Sequence, residues 1–309
     1  MPVVRAIRIH EFRGLAGVTL EAVPIPQPAA DQILIRVAAA SLNPADIKIA
    51  KGLFPRVAQR DLPVTLGCDF AGIVEHCRQP TAPFRTGDLV FGMARPGHGS
   101  LADYVVADVG TISLAPSALD LQDAAAVPLA ALTAWQGLTL HGALAAGQRV
   151  LILGAGGGVG HFAVQFAHCL GAEVFALGAA KDADFLCELG AHRVLNRDSG
   201  FEMTGAKMDL VLDLVGGSTQ DRAWAVLKQK GIIVSPVVQP GPHHSTSGGR
   251  PGCRYLAQPN RADFERITSL LNTGDVRPVA SSRFGLDDAY KALTQFERGG
   301  TRGKSIVIC

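Results

Sequence analysis

The chain has 309 residues, of which 48% are hydrophobic and 18% charged, with a formal net charge of +2. This is the balance of a folded globular protein with room for two domains, and it excludes a disordered chain. The charge is too small to imply nucleic acid or an anionic membrane surface as partner, and no apolar run approaches the length of a membrane span. The start, MPVVRAIRIHEFRG, lacks the long apolar core of a signal peptide, so a cytoplasmic protein is expected. Cys68, Cys77, Cys169, Cys187, Cys253 and Cys309 form no C-x-x-C pair, and reduced, mostly buried thiols are expected.

In chain order, residues 1–115 read as an irregular β domain. Val3 to Ile9 and Ile33 to Ala39 are β-branched runs bounded by Pro and Gly, and PIPQPAADQ between them is a loop. From about residue 119 the texture changes. DLQDAAAVPLAALTAWQGL is alanine-rich and helical, interrupted at Pro128, with Trp135 expected in the core. Strands and helices then alternate: strand Val150–Leu153, helix 159–170, strand Val174–Leu177, helix Lys181–Leu189 stopped by Gly190, strand Val194–Asn196, strand Leu210–Leu214. A helix through Trp224 and Leu227 and a strand Ile232–Val234 follow. Alternation of this kind predicts parallel βαβ units. The stretch 240–252, with His243 and His244, reads as a loop whose histidines are solvated. Asn260 caps a helix with Phe264, Ile267, Leu270 and Leu271 apolar. Leu286, Ala289, Tyr290, Leu293 and Phe296 mark another, stopped by Gly299, and Ser305–Ile308 closes as a strand.

After the strand at Val150–Leu153 comes Gly154-Ala155-Gly156-Gly157-Gly158-Val159-Gly160. Ala155, Gly157 and Gly160 fit an A-x-G-x-x-G pattern. The glycines allow a sharp turn, bare backbone beside a pyrophosphate, and close packing of helix on strand, while the helix N-terminus favours negative charge. In NAD-binding units an acid about 20 residues on holds the ribose 2′-hydroxyl. Here the second strand ends Leu177-Gly178-Ala179-Ala180-Lys181, with no carboxylate before Asp182. Small residues with Lys181, and Arg197 after the third strand, accommodate a 2′-phosphate, so NADPH is the expected cofactor.

SLNPADIKIAKG (41–52), LPVTLGCDFAGIVE (62–75), AAAVPLAALTAWQGL (124–138), the glycine turn, DLVLDLVGG (209–217) and TRGKSIVI (301–308) together resemble the medium-chain dehydrogenase/reductase superfamily, in its zinc-free quinone oxidoreductase and enone reductase branch. The resemblance implies an α/β protein: a GroES-like β domain from residues 1–118 completed by 267–309, and a Rossmann NADP-binding domain, a doubly wound parallel sheet, over 119–266. The positions of the relatives' catalytic zinc ligands hold Asn43, Cys68 and Leu129, which cannot build that site, so no metal is expected. Without zinc, the resemblance implies hydride transfer from NADPH to a quinone or an α,β-unsaturated carbonyl compound. It implies Asn43 near the nicotinamide ribose, Thr133 near the nicotinamide or its phosphate, and Lys304 approaching the cofactor phosphates or ribose. Lys48 stands where the enone reductases carry lysine and is expected, with Asn43, to serve catalysis. Asp46 reads as a capping residue and His98 as a loop residue bordering the cleft. Tyr255 and Val238 are expected on the nicotinamide side. The cofactor set is thus Asn43, Thr133, Ala155, Gly157, Gly158, Val159, Gly160, Lys181, Arg197, Val215, Val238 and Lys304. A homodimer acting on small molecules is implied. The alternatives are an NADPH-binding protein with a structural or regulatory role and little turnover, and an alcohol dehydrogenase.

Overall fold

In the computed structural model, residues 3–77, 83–198, 205–241 and 252–309 are described. Most of the expected 240–252 loop, including His243 and His244, therefore lies outside the described residues. The chain opens with β1 (Val3–Ile9), β2 (Val18–Pro24), β3 (Gln32–Ser41), α1 (Pro44–Ala50), β4 (Val64–Thr65), β5 (Asp69–Cys77), β6 (Leu89–Met93), β7 (Tyr104–Asp108) and β8 (Ile112–Leu114). Then come α2 (Leu121–Ala124), α3 (Pro128–Gln136), β9 (Arg149–Leu153), α4 (Gly160–Cys169), β10 (Glu173–Gly178), α5 (Ala183–Glu188) and β11 (Arg193–Asn196). It ends with β12 (Met208–Asp213), α6 (Gly217–Ala223), β13 (Leu227–Ser235), β14 (Cys253–Arg254), α7 (Arg261–Asn272), β15 (Ala280–Gly285), α8 (Ala289–Glu297) and β16 (Lys304–Ile308).

Two compact units result: residues 1–129, 259–274 and 278–309 form the first, and 130–258 with 275–277 the second. The sequence reading divided the chain at 118/119 and 266/267. The structure instead puts α2 and the whole of α7 in the first unit. The cause is packing, since Phe264 of α7 meets Phe91 of β6 edge to face at 5.4 Å. The amide of Leu129 also donates to Asp69 at 2.9 Å.

The first unit holds an antiparallel sheet in the order β2-β1-β4 and a second sheet in the order β15-β16-β3-β5-β6-β8, with β7 also pairing β3. β3, QILIRVAAAS, is buried along nearly its whole length, as a strand with neighbours on every side requires. Its register matters for the site. Ser41 at the end of β3 pairs with Asp69 at the start of β5 and with Ile306 of β16. The ends of three strands therefore bring Ser41, Asp69 and Lys304 together.

The second unit is a parallel sheet in the order β11-β10-β9-β12-β13-β14. Chain order reverses between β9 and β12, and ligands of such sheets bind in the crevice at the carboxyl ends on either side of that point. The strands are continuous apolar runs because helices cover both faces; Val150 to Leu153 and Val174 to Leu177 are buried throughout. Trp135 packs edge to face on Phe166 of α4 at 5.4 Å.

Local chemistry explains where the elements follow or depart from expectation. The helical stretch is broken before Pro128 as expected: α2 ends at Ala124 and Pro128 starts α3, where its missing N–H costs nothing. The helix expected through Trp224 and Leu227 continues past Ala223 as a 3-10 turn over Trp224–Val226, and Leu227 opens β13. Tyr290, placed on the apolar face of α8, is 54% exposed; Ala292 takes the buried place beside Ala289 and Leu293. All six cysteines are free, and the expectation that most are buried fails: only Cys68 is, while Cys169 and Cys187 are exposed. Cys169 is the last residue of α4, whose first eight residues are all buried, and Cys187 stands one residue before the end of α5.

Candidate functional site

In the second unit the candidate residues gather at the carboxyl edge of the sheet. β9 ends at Leu153 and Gly154 turns with φ +79°. A Cβ on Gly160 would lie 2.2 Å from the Gly154 carbonyl oxygen and 2.6 Å from the Ala155 Cα, so glycine alone lets α4 sit this close to the turn. A Cβ on Gly157 would meet only the Gly154 oxygen, at 3.4 Å. Packing therefore does not require glycine at 157, and a ligand approaching the backbone gives it a reason. Among the described residues, the amides of Gly158 and Val159 donate to no acceptor in the protein. Two free N–H groups at the start of a ten-residue helix, beside a glycine that packing does not need, fit a pyrophosphate.

The neighbouring strand ends complete this edge. β10 ends at Gly178, whose carbonyl accepts the Arg197 amide at 3.0 Å, so the segment after β11 returns to the end of β10. The Lys181 and Arg197 side chains are both exposed. Asp182 differs from its sequence reading. It is the first acid after β10, and its carboxylate turns back onto the glycine turn, with Oδ2 3.1 Å from where a Cβ of Gly156 would stand. Spacing along the chain did not show this, because the tight turn at Ala180–Asp182 folds the side chain inward.

Asp213, at the end of β12, is a residue the sequence reading quoted without assigning. Its fully buried carboxylate accepts from the amides of Val215 (3.0 Å) and Gly216 (2.8 Å), from Gln220 Nε2 (2.7 Å) and from Ser235 Oγ (2.8 Å). It fixes the turn that leaves Val215 half exposed beside Gly154. Val238, similarly exposed, follows β13. Tyr255 is buried, and its hydroxyl donates to the Thr133 carbonyl at 2.8 Å. Burial drives that phenol's pKa well up.

The first unit holds a buried polar cluster. Asp69 is fully buried; its Oδ2 accepts from Ser41 Oγ at 2.7 Å and Asn43 Nδ2 at 2.9 Å, and lies 3.5 Å from Lys304 Nζ. Lys304 Nζ donates to the Leu42 carbonyl at 2.8 Å and to Asn43 Oδ1 at 2.6 Å. The second hydrogen of Asn43 Nδ2 goes to the Ser41 carbonyl at 3.1 Å. Asp46 caps α1, accepting the Asn43 amide at 2.8 Å on Oδ2, and takes the Gly67 amide at 2.9 Å on Oδ1. Burial, with Asp69 adding like charge, pushes Asp46 up to about 7 against the pull of those two amides. Burial also lowers the Lys304 ammonium while Asp69 and Asp46 hold it up.

This geometry corrects one expectation. Lys304 does not reach outward to phosphates; it is 3% exposed, and its three hydrogens have three acceptors inside the unit. Lys48, by contrast, is exposed on α1 and has no carboxylate partner among the described residues. His98 lines a groove of about 830 Å³ within the first unit, together with Arg8, Arg56 and Arg95.

The donor set does not fit a catalytic zinc. Leu129 offers no ligating side-chain atom, and the Asn43 oxygen that could ligate faces the Lys304 ammonium at 2.6 Å. Burial, with Asp46 and Asp69 adding like charge, raises the Cys68 thiol well above its ordinary range.

Comparison with known proteins gives matches over both units. Residues 29–117 match the family model described as alcohol dehydrogenase GroES-like domain, and residues 189–307 the one described as zinc-binding dehydrogenase. The chain is 32% identical to a 2-methylene-furan-3-one reductase of Solanum lycopersicum, over 92% of this chain and 74% of that protein. It is 31% identical to a chloroplastic quinone-oxidoreductase homolog of Spinacia oleracea, over 92% of each. Among solved structures, the quinone oxidoreductase from Coxiella burnetii superposes with a TM-score of 0.92 at 31% identity, over 99% of both chains.

Proposed function

From the membership of this chain in the medium-chain dehydrogenase/reductase superfamily, in its zinc-free quinone oxidoreductase branch, a family of NAD(P)H-binding oxidoreductases, we propose that it is an NADPH-dependent reductase of quinones or α,β-unsaturated carbonyl compounds. The observation that carries the reading is the turn at 154–160, where two unpaired amides and an unfilled glycine stand beside the switch point of the parallel sheet.

When bound, the dinucleotide supplies a hydride from its nicotinamide C4. The amides of Gly158 and Val159, with Ala155, Gly157 and Gly160 shaping the turn, hold the pyrophosphate. Lys181 and Arg197 face the 2′-phosphate. Val215 and Val238 give apolar contact, and Thr133 and Asn43 meet the nicotinamide and its ribose. Because the residues at 43, 68 and 129 do not fit a Lewis-acid metal, the chain must meet charge developing on the acceptor oxygen with a hydrogen-bond donor. Lys48, an exposed ammonium on α1, has that role. Conjugated acceptors suit such a site, since their charge is delocalised onto oxygen as hydride arrives.

A second reading, NADH as cofactor, is favoured by one observation, the Asp182 carboxylate against Gly156. The ratio of dissociation constants for the two dinucleotides decides between them. The function is tested by steady-state oxidation of NADPH with a panel of enones and quinones; binding without turnover on any acceptor replaces the reductase with a dinucleotide-binding protein. The same reading carries a cytoplasmic homodimer, checked by light scattering and cell fractionation.

A further inference from the structure

The cluster of the first unit contains two buried carboxylates and one buried ammonium, and the arrangement is directional. A carboxamide can sit either way round in a slot of this size. Here Asn43 Nδ2 spends both hydrogens inward, on the Ser41 carbonyl and Asp69, and Oδ1 accepts from Lys304 at 2.6 Å. Turning the amide over would press its NH₂ group against an ammonium and its oxygen against a carboxylate and a carbonyl, all out of water. Asp69 is itself fixed by Ser41 Oγ and the Leu129 amide, and Lys304 by the Leu42 carbonyl.

We infer that Lys304, paired with Asp69, is a positioning residue that locks the Asn43 carboxamide with its nitrogen inward, leaving one lone pair of Oδ1 as the only unspent hydrogen-bonding capacity of that side chain. Asn43 can then meet a ligand solely as an acceptor, and the ligand group it takes is a hydrogen-bond donor. This rests on the reading of Asn43 as a ribose contact and specifies it: the ribose donates. Lys304 thus serves binding without touching the dinucleotide. The other groups facing the cluster are Asp46 and the Cys68 thiol. Neither bonds the Asn43 side chain, so neither sets its orientation.

The test uses the full chain and two ligands, NADPH and adenosine 2′,5′-bisphosphate, which lacks the nicotinamide half. Lys304→Met alone strands the Asp69 charge, so the charge-balanced Asp69→Asn/Lys304→Met variant is used, with its thermal midpoint recorded. Asn43→Ala and the balanced variant are each expected to weaken NADPH about tenfold, the worth of one buried hydrogen bond, with the bisphosphate changed less than twofold. The triple variant is expected to be no weaker than either, because Lys304 acts through Asn43. Asp69→Asn/Lys304→Gln, which keeps an N–H for Oδ1, is expected to recover NADPH affinity and keeps the test open where the methionine variant folds poorly. Equal loss for both ligands, or additive losses in the triple variant, overturns the inference while leaving the functional reading intact. Wild-type protein that binds neither ligand defeats the functional reading and this inference with it.

Discussion

Two alanine substitutions three residues apart in the glycine turn are expected to fail in different ways. In Gly160→Ala the new methyl would stand 2.2 Å from the Gly154 oxygen and 2.6 Å from both the Cα and the oxygen of Ala155. All are backbone atoms and none can swing aside. The helix must retreat by about 1 Å from a strand buried on both faces, an overpacking cost of about 3 kcal/mol or more. In Gly157→Ala the nearest atom is 3.4 Å away and the backbone is not left-handed, so stability holds or rises by about 0.5 kcal/mol through the stiffer unfolded chain. Its methyl instead occupies the path of the pyrophosphate, and dinucleotide affinity falls at least about tenfold, or ~1.4 kcal/mol. Thermal melts with and without NADPH, together with a fluorescence titration, separate the two effects. A Gly157→Ala protein that is as stable as wild type and binds NADPH as tightly would show that the turn closes a loop and holds nothing.

Lys181→Glu should weaken NADPH at least about tenfold while moving NADH less than about twofold, by reversing charge at the 2′-phosphate; equal effects would remove Lys181 from the site. Lys48→Ala should lower turnover more than cofactor affinity, as read from kcat beside the NADPH dissociation constant, and no change in either makes it a surface lysine. Asp213→Asn should cost about 3 kcal/mol in denaturant unfolding, because an amide nitrogen would face backbone and Gln220 donors where a carboxylate accepts four hydrogen bonds; an unchanged midpoint would contradict this. For Asp46 the folded pKa, about 7, lies above the ordinary 3.8. Between about pH 4 and 7 the folded protein therefore holds a proton that the unfolded chain has released. Stability from this group falls as pH rises through that window, by up to about 4 kcal/mol for three units, and levels off above it. Asp46→Asn should flatten that slope, and a slope that persists in the variant assigns it to another group.

What was legible in the sequence followed from short-range chemistry. The glycine turn, the helix stops at Gly190 and Gly299, and the Asn260 cap, which accepts the Asp263 amide at 2.9 Å, each depend on a few adjacent residues. So do the buried parallel strands, whose apolar runs need no partner to be recognised. What was missed depends on residues far apart. Lys304 and Asn43 lie 261 positions apart, and only the pairing of β16 and β5 with β3 shows that the lysine faces inward. Asp213 gave no signal beyond an acid ending an apolar strand, a position at which four inward-pointing donors make a carboxylate the natural hub. Asp182 was counted by its distance along the chain, and the tight turn before α5 reverses that estimate.

The most direct test of the account is a single turnover. Protein dialysed against a chelator is mixed with an equal amount of NADPH deuterated at the transferable C4 position and an excess of a simple enone, and the product is examined by mass spectrometry and NMR. The account predicts one deuterium on the β-carbon of the saturated ketone, with turnover unchanged by the dialysis. Product without deuterium, or activity that vanishes on dialysis and returns with added zinc, would contradict it.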